Sequence, residues 1–64
     1  MVQVGDNVLH QQNGYSGKVI GYGHEIRNGV YLPTLKVRVV QGKDQNHKGF
    51  IEEDLSSAWQ RVEE

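Results

Sequence analysis

A chain of 64 residues that has no cysteine and carries seven Lys and Arg against eight Asp and Glu, a formal charge of -1, has room for one domain, and a domain of this size buries about 60% of its unfolded surface. No disulfide framework can staple it, and little space is left for an enclosed active site. Residues 1–6 lack the basic start and apolar run of a signal peptide, and every apolar run is far too short to span a bilayer, so a soluble, cytoplasmic protein without membrane attachment is expected.

The near-zero net charge hides an asymmetry. Between Lys18 and Lys48 lie six cations (Lys18, Arg27, Lys36, Arg38, Lys43, Lys48) against two anions, Glu25 and Asp44; from Gly49 onward five anions (Glu52, Glu53, Asp54, Glu63, Glu64) face Arg61 alone. The middle of the chain is basic and its end acidic.

In chain order, Val2-Gln3-Val4 reads as an extended lead-in and Gly5-Asp6 as a turn. Residues 7–11 form a first strand with Val8 and His10 on one face and Leu9 on the other. Residues 12–17 carry turn chemistry, since Asn13-Gly14 tolerates positive φ and Gly17 eases entry into the next strand. Residues 18–26 make a second strand, whose Gly21 and Gly23 mark a bulge, a bend or the close approach of another backbone. Arg27-Asn28-Gly29 is a hairpin signal. Val30-Tyr31-Leu32 extends its return side, and Pro33 demotes that stretch to an edge or a strand start. Residues 34–40 alternate Leu35, Val37 and Val39 with Lys36 and Arg38, the period of a strand with one buried and one wet face. A polar loop over 42–47, a short strand over 48–52 anchored by Phe50, one helical turn over 53–56 and a last strand over 58–62 complete the chain. No repeat or linker interrupts it, so residues 1–64 form a single domain.

Five short strands, glycine-rich turns and one helical turn before the last strand predict an all-β fold, most economically a small five-stranded SH3-like barrel, which limits exposed strand edges. Its interior would hold Val8, Val19, Leu35, Val37, Val39, Phe50 and Leu55, with Trp59 or Val62. An OB-fold needs a helix between its third and fourth strands, and residues 42–47 offer none.

Gly5-Asp6-Asn7-Val8-Leu9-His10, followed by Gly14, Gly17 and Val19, resembles the opening of the Tudor-like, SH3-like C-terminal domain of Rep-type DNA helicases, and it also resembles a degenerate KOW motif. The whole chain is similar to a small family of uncharacterised proteins found mainly in cyanobacteria. The motif match covers residues 5–19. It departs from the helicase pattern at Asn13, where an aromatic is expected, and by one residue in the glycine spacing. The helicase resemblance implies docking onto a polymerase or another protein; the KOW resemblance implies contact with RNA or protein in transcription or translation. Such openings speak to fold more than to function.

Chemistry-bearing side chains are sparse. His10, His24 and His47 lack the close spacing of structural zinc ligands and no cysteine assists them, so they read as strand or loop histidines and no metal or cofactor is expected. Ser16, Ser56 and Ser57 sit in no nucleophile-elbow motif, and no catalytic residues are assigned. Glu52-Glu53-Asp54 reads as acidic charge ahead of a helical turn. Gly21-x-Gly23 is followed by no helix N-terminus and so cradles no phosphate.

Two surfaces remain. Lys36 and Arg38 share one strand face that Lys18, Lys43 and Lys48 can join, with Tyr15, Tyr22 or Tyr31 as stacking platforms for nucleic acid, although the net acidity opposes a dedicated non-specific binder. SH3-like barrels also present aromatic grooves or open edges to peptides; Trp59 is read as core, and Tyr15, in a turn framed by glycines, as an exposed contact. The sequence thus points to a non-enzymatic interaction module for a protein partner, with weak RNA or DNA binding on a local basic face as the alternative. Its partner-binding candidates are Tyr15, Lys18, Tyr22, Tyr31, Lys36 and Arg38.

Overall fold

A computed structural model describes residues 2–42 and 48–63. It contains five strands, β1 (Asn7–His10), β2 (Ser16–Arg27), β3 (Val30–Gln41), β4 (Ile51–Leu55) and β5 (Trp59–Arg61), with a single 3-10 turn at Ser56–Ala58 before β5. All five belong to one antiparallel sheet in the order β4-β3-β2-β1-β5. The all-β expectation holds. The expected barrel does not close, because the backbone ladder ends at β4 on one side and β5 on the other.

The sheet is built around the hairpin of β2 and β3, each 12 residues long. Its turn is Asn28-Gly29, with φ of 51° and 77°, the two-residue geometry whose backbone twist matches that of the flanking strands. Two irregularities bend the ladder. Val40 has no opposite number between the Ser16–Gln41 and Gly17–Val39 pairs, and Ile20 has none between Val19–Val37 and Gly21–Lys36. Each is an extra residue that kinks its strand and increases the local twist. Gly17 lies at the first of these irregularities, and a Cβ there would overlap the Arg38 carbonyl oxygen and meet Val37 Cγ1 at 2.9 Å.

Val8, Val19, Leu35, Val37, Val39 and Trp59 are the buried apolar residues, and Val2 of the lead-in packs against them. That lead-in turns at Gln3–Asp6, where the Asp6 amide donates to the Gln3 carbonyl and the Gln3 amide to Asp6 Oδ2. It then runs beside β2, with Gly5 N–H donating to the Val19 carbonyl and Val19 N–H to the Asp6 carbonyl.

Four expectations are corrected. Phe50, expected in the core, is 61% exposed and stands just before β4 begins; of the alternatives Trp59 and Val62, Trp59 is the one buried. Leu55 is half-buried. Residues 52–54 belong to β4, and the helical turn follows them at Ser56–Ala58 with no acidic residue in it. Val30–Gln41 form one strand that runs through Pro33. Proline is tolerated there because β4 pairs with β3 only from Thr34 to Arg38, so at Pro33 the strand is an edge on that side and the missing N–H breaks no ladder bond there. The expected loop over 42–47 falls almost wholly outside the described residues.

Gly17→Ala tests the curl directly. The new methyl group would be pressed into backbone that cannot swing aside, so a loss of about 1–3 kcal/mol is expected, read as a lower urea midpoint; an unchanged midpoint would show that the two strands can part at no cost.

Candidate functional site

One polar side chain sits at the centre of the core. His10 is only 2% exposed, and both its ring nitrogens are engaged. Nδ1 accepts the backbone N–H groups of Gln12 at 3.2 Å and Asn13 at 3.0 Å, so the ring proton resides on Nε2, which donates to Asp54 Oδ2 at 2.8 Å. The Trp59 ring meets the imidazole edge-on, with centroids 4.8 Å apart and planes at 90°. Burying an imidazole is costly unless its nitrogens are satisfied, and here they are.

Local sequence produces this arrangement. The His10 amide donates to the Tyr15 carbonyl and the Gly14 amide to the His10 carbonyl, with Gly14 at a φ of 76°. The turn therefore folds back over its own histidine and aims two amides at the ring. Asp54 arrives from β4, where its register partner is core residue Leu35; side chains of paired residues share a face, so its carboxylate points inward. The hydrogen bond from His10 is the main force holding the Asp54 carboxyl below its ordinary value, helped by the Leu55 N–H and by the charge of Arg27, and opposed by burial.

With both nitrogens committed and the ring enclosed, His10 has no lone pair left to take a substrate proton. The pair is structural. Among the described residues no three His, Asp or Glu side chains are grouped to hold a metal ion, and no helix is long and apolar enough to cross a membrane. His47 and Lys43 lie outside the described residues.

The six candidate contact residues do not form one surface. Tyr22 pairs with core residue Leu35, and Tyr31 lies on the same side of β3, on the face that carries Leu35, Val37 and Val39. Their stretch of the hairpin extends past the pairing of β1 and β4, which reaches only Ser16–Lys18 of β2 and Thr34–Arg38 of β3. The core-side face is uncovered there: Tyr22 is 55% exposed, Ile26 60% and Tyr31 66%. His24 stacks on Tyr31, centroids 4.5 Å apart and planes at 16°, as diagonal neighbours across a ladder do. The Tyr22 hydroxyl accepts the Val4 N–H at 3.0 Å.

Lys18, Lys36 and Arg38 occupy the opposite, outer face, where all three are exposed. Tyr15 stands apart from both groups and is half-buried rather than exposed; the fold of the turn over His10 draws it in. Sequence reasoning overlooked Ile26 and His24, although their two-residue spacing from Tyr22 was the available signal. It also overlooked the His10–Asp54 pair, whose 44-residue separation leaves no signal at all. Comparison with protein-family models, with curated proteins and with solved structures gives no match, so the functional reading rests on this geometry.

The His10–Asp54 pair makes a stability prediction. Asp54→Ala leaves a buried imidazole N–H without an acceptor and is expected to cost about 1–3 kcal/mol; Asp54→Asn, whose amide oxygen can still accept, should cost less. Because the folded state lowers the Asp54 pKa, its contribution is complete above the carboxylate range of the unfolded chain and is lost as the pH falls below about 4, through the lower folded value. Urea midpoints measured on either side of that pH should therefore fall less steeply with acid in the Asn variant; identical slopes would remove the pair from its assigned role.

Proposed function

We propose that the chain is a non-enzymatic, SH3-like interaction module that binds a protein partner through the core-side face of the distal β2–β3 hairpin. The observation that carries this reading is the exposed set of Tyr22, His24, Ile26 and Tyr31 on a face which, a few residues earlier, is the packed interior of the domain. Aromatic side chains held by a stack present large area at little entropic cost, and residues of this type dominate the binding energy of protein interfaces. The hairpin also offers two strand edges beyond its neighbours, so a partner segment can add main-chain hydrogen bonds while its side chains meet the aromatic face. A role in transcription or translation, in the cytoplasm, is the setting that the helicase and KOW resemblance suggests.

Affinity capture from native lysate at low and high salt tests the reading. A contact made mainly by apolar area should survive high salt, and Tyr31→Ala should weaken it about tenfold or more, the effect of losing one hot-spot side chain. Failure to retain any protein above background, or equal retention by the wild type and Tyr31→Ala, would reject the surface.

A further inference from the structure

The chain contains two Asn-Gly dipeptides, Asn13-Gly14 and Asn28-Gly29, exposed in the β1–β2 and β2–β3 connections. Such a dipeptide carries a chemistry of its own. The backbone nitrogen that follows an asparagine can attack the asparagine side-chain amide, and a glycine, having no Cβ, leaves that nitrogen least shielded. The two dipeptides are alike in sequence, but the fold holds them differently.

In the β1–β2 turn both backbone nitrogens are tied to His10. The Asn13 N–H donates to Nδ1 at 3.0 Å, beside that of Gln12 at 3.2 Å, and the Gly14 N–H donates to the His10 carbonyl at 3.1 Å. Since His10 is buried, this turn opens only by disturbing the core. The β2–β3 tip has no such anchor. Among the described residues, no hydrogen bond outside the strand ladder engages Asn28 or Gly29, and a Cβ built on Gly29 meets nothing within 4 Å. The tip is closed by the Arg27–Val30 pair, the last of the β2–β3 ladder, and both of those residues are exposed. A tip of this kind opens locally at little cost. Opening gives the Gly29 nitrogen the rotation it needs to reach Asn28 Cγ.

We propose that Asn28 is a site of spontaneous deamidation and isomerisation, from which the bonds to His10 protect Asn13. In the first step the Gly29 nitrogen gives its proton to a solvent base and bonds to Asn28 Cγ. The Cγ–Nδ2 bond breaks, ammonia leaves with a proton taken from solvent, and a cyclic imide remains. Water then opens the ring. Attack at Cγ gives aspartate; attack at the former main-chain carbonyl gives isoaspartate, whose main chain runs through Cγ. In both cases the water oxygen stays on the new carboxyl group and a proton returns to the Gly29 nitrogen, so no oxidant or reductant takes part. The product gains a carboxylate charge, and isoaspartate also lengthens the backbone of a turn in which both residues hold positive φ. Two-residue hairpin turns match the twist of their strands only in that geometry, so the reaction loosens the tip of the ribbon.

Peptide mapping by mass spectrometry tests the assignment, on native protein incubated at mildly alkaline pH and on the urea-unfolded chain treated alongside. Breaking one hydrogen bond before attack slows a reaction about tenfold. In the folded protein the Asn28 peptide should therefore convert to the acid at least about ten times faster than the Asn13 peptide, and the two rates should converge in urea. A protein isoaspartyl methyltransferase should label the Asn28 peptide, which separates ring closure by Gly29 from direct hydrolysis. Amide shifts in the aged protein should gather over residues 23–34 and spare residues 12–14. Equal rates at the two sites in the folded protein overturn the proposal, as does an Asn28 that stays intact while the unfolded chain reacts. Conversion of Asn28 without isoaspartyl label, or shifts centred on residues 12–14, overturns it as well.

Discussion

The hydrogen bond from His10 to Asp54 joins two strands that are not neighbours. In the order β4-β3-β2-β1-β5, β2 and β3 lie between them, so a 2.8 Å contact between β1 and β4 exists only if the sheet curls until its inner face meets itself. Backbone ladders say which strands are adjacent and leave the curvature open. Here the two bulges and Gly17 permit the curl, and the buried imidazole fixes where it stops. The same ring organises the β1–β2 turn, because its Nδ1 is the acceptor towards which Gln12 and Asn13 direct their amides. A valine or leucine at position 10 would fill the space and supply neither link. This is a case in which a polar group at the centre of a small core specifies geometry that apolar packing alone would leave loose.

Curling one end of the sheet leaves the other end bare. β1 has only four residues and β4 five, while β2 and β3 each have 12, so among the described residues the far half of the hairpin has no further strand on either side, and its core-side face is met by the Val4 amide at Tyr22. A two-stranded ribbon is marginal by itself. What holds this one is local: the Asn28-Gly29 turn, the His24–Tyr31 stack, the Glu25–Arg27 ion pair at 3.1 Å and the β2–β3 ladder itself. Those devices keep the ribbon extended without covering its apolar residues, and that is the condition for a surface that is ordered yet available.

The parts of this fold that rest on local chemistry were legible in the sequence. The alternation of Leu35, Val37 and Val39 located β3 and its buried face, Asn28-Gly29 marked the turn, and the shared face of Val8 and His10 was evident from their spacing. The errors came where a tertiary contact decides. Phe50 was read as core because it is large and apolar; its carbonyl accepts the N–H of core residue Val39, yet it sits at the turn before β4 begins and stays exposed. The helical turn was expected at residues 53–56, with Glu52-Glu53-Asp54 as the acidic charge of its start. In the strand, Asp54 meets a histidine that no window of sequence would place beside it, and Glu53 meets Thr34. Of the candidate contacts, the residue types were legible and their division between two faces was not, because it depends on the bulge at Ile20, which resets which side of β2 each later residue occupies.

The register of β4 against β3 decides how an acidic chain can show a basic face. A summed charge of -1 matters to a distant ion, but at physiological salt a surface charge is screened beyond about 8 Å, so each face of the sheet acts through its own charges. Register places Glu52 and Asp54 on the core side, beside Val37 and Leu35, and Thr34 occupies an oxygen of Glu53, the acid of β4 that shares the outer face. Two of the three acids of β4 are thereby turned away from the basic face, and only Glu53 stays on it, opposite Lys36. Alternation along a strand separates the charges more effectively than distance along the chain could, and a domain this small can keep an aromatic face and a cationic face back to back across the thickness of one sheet.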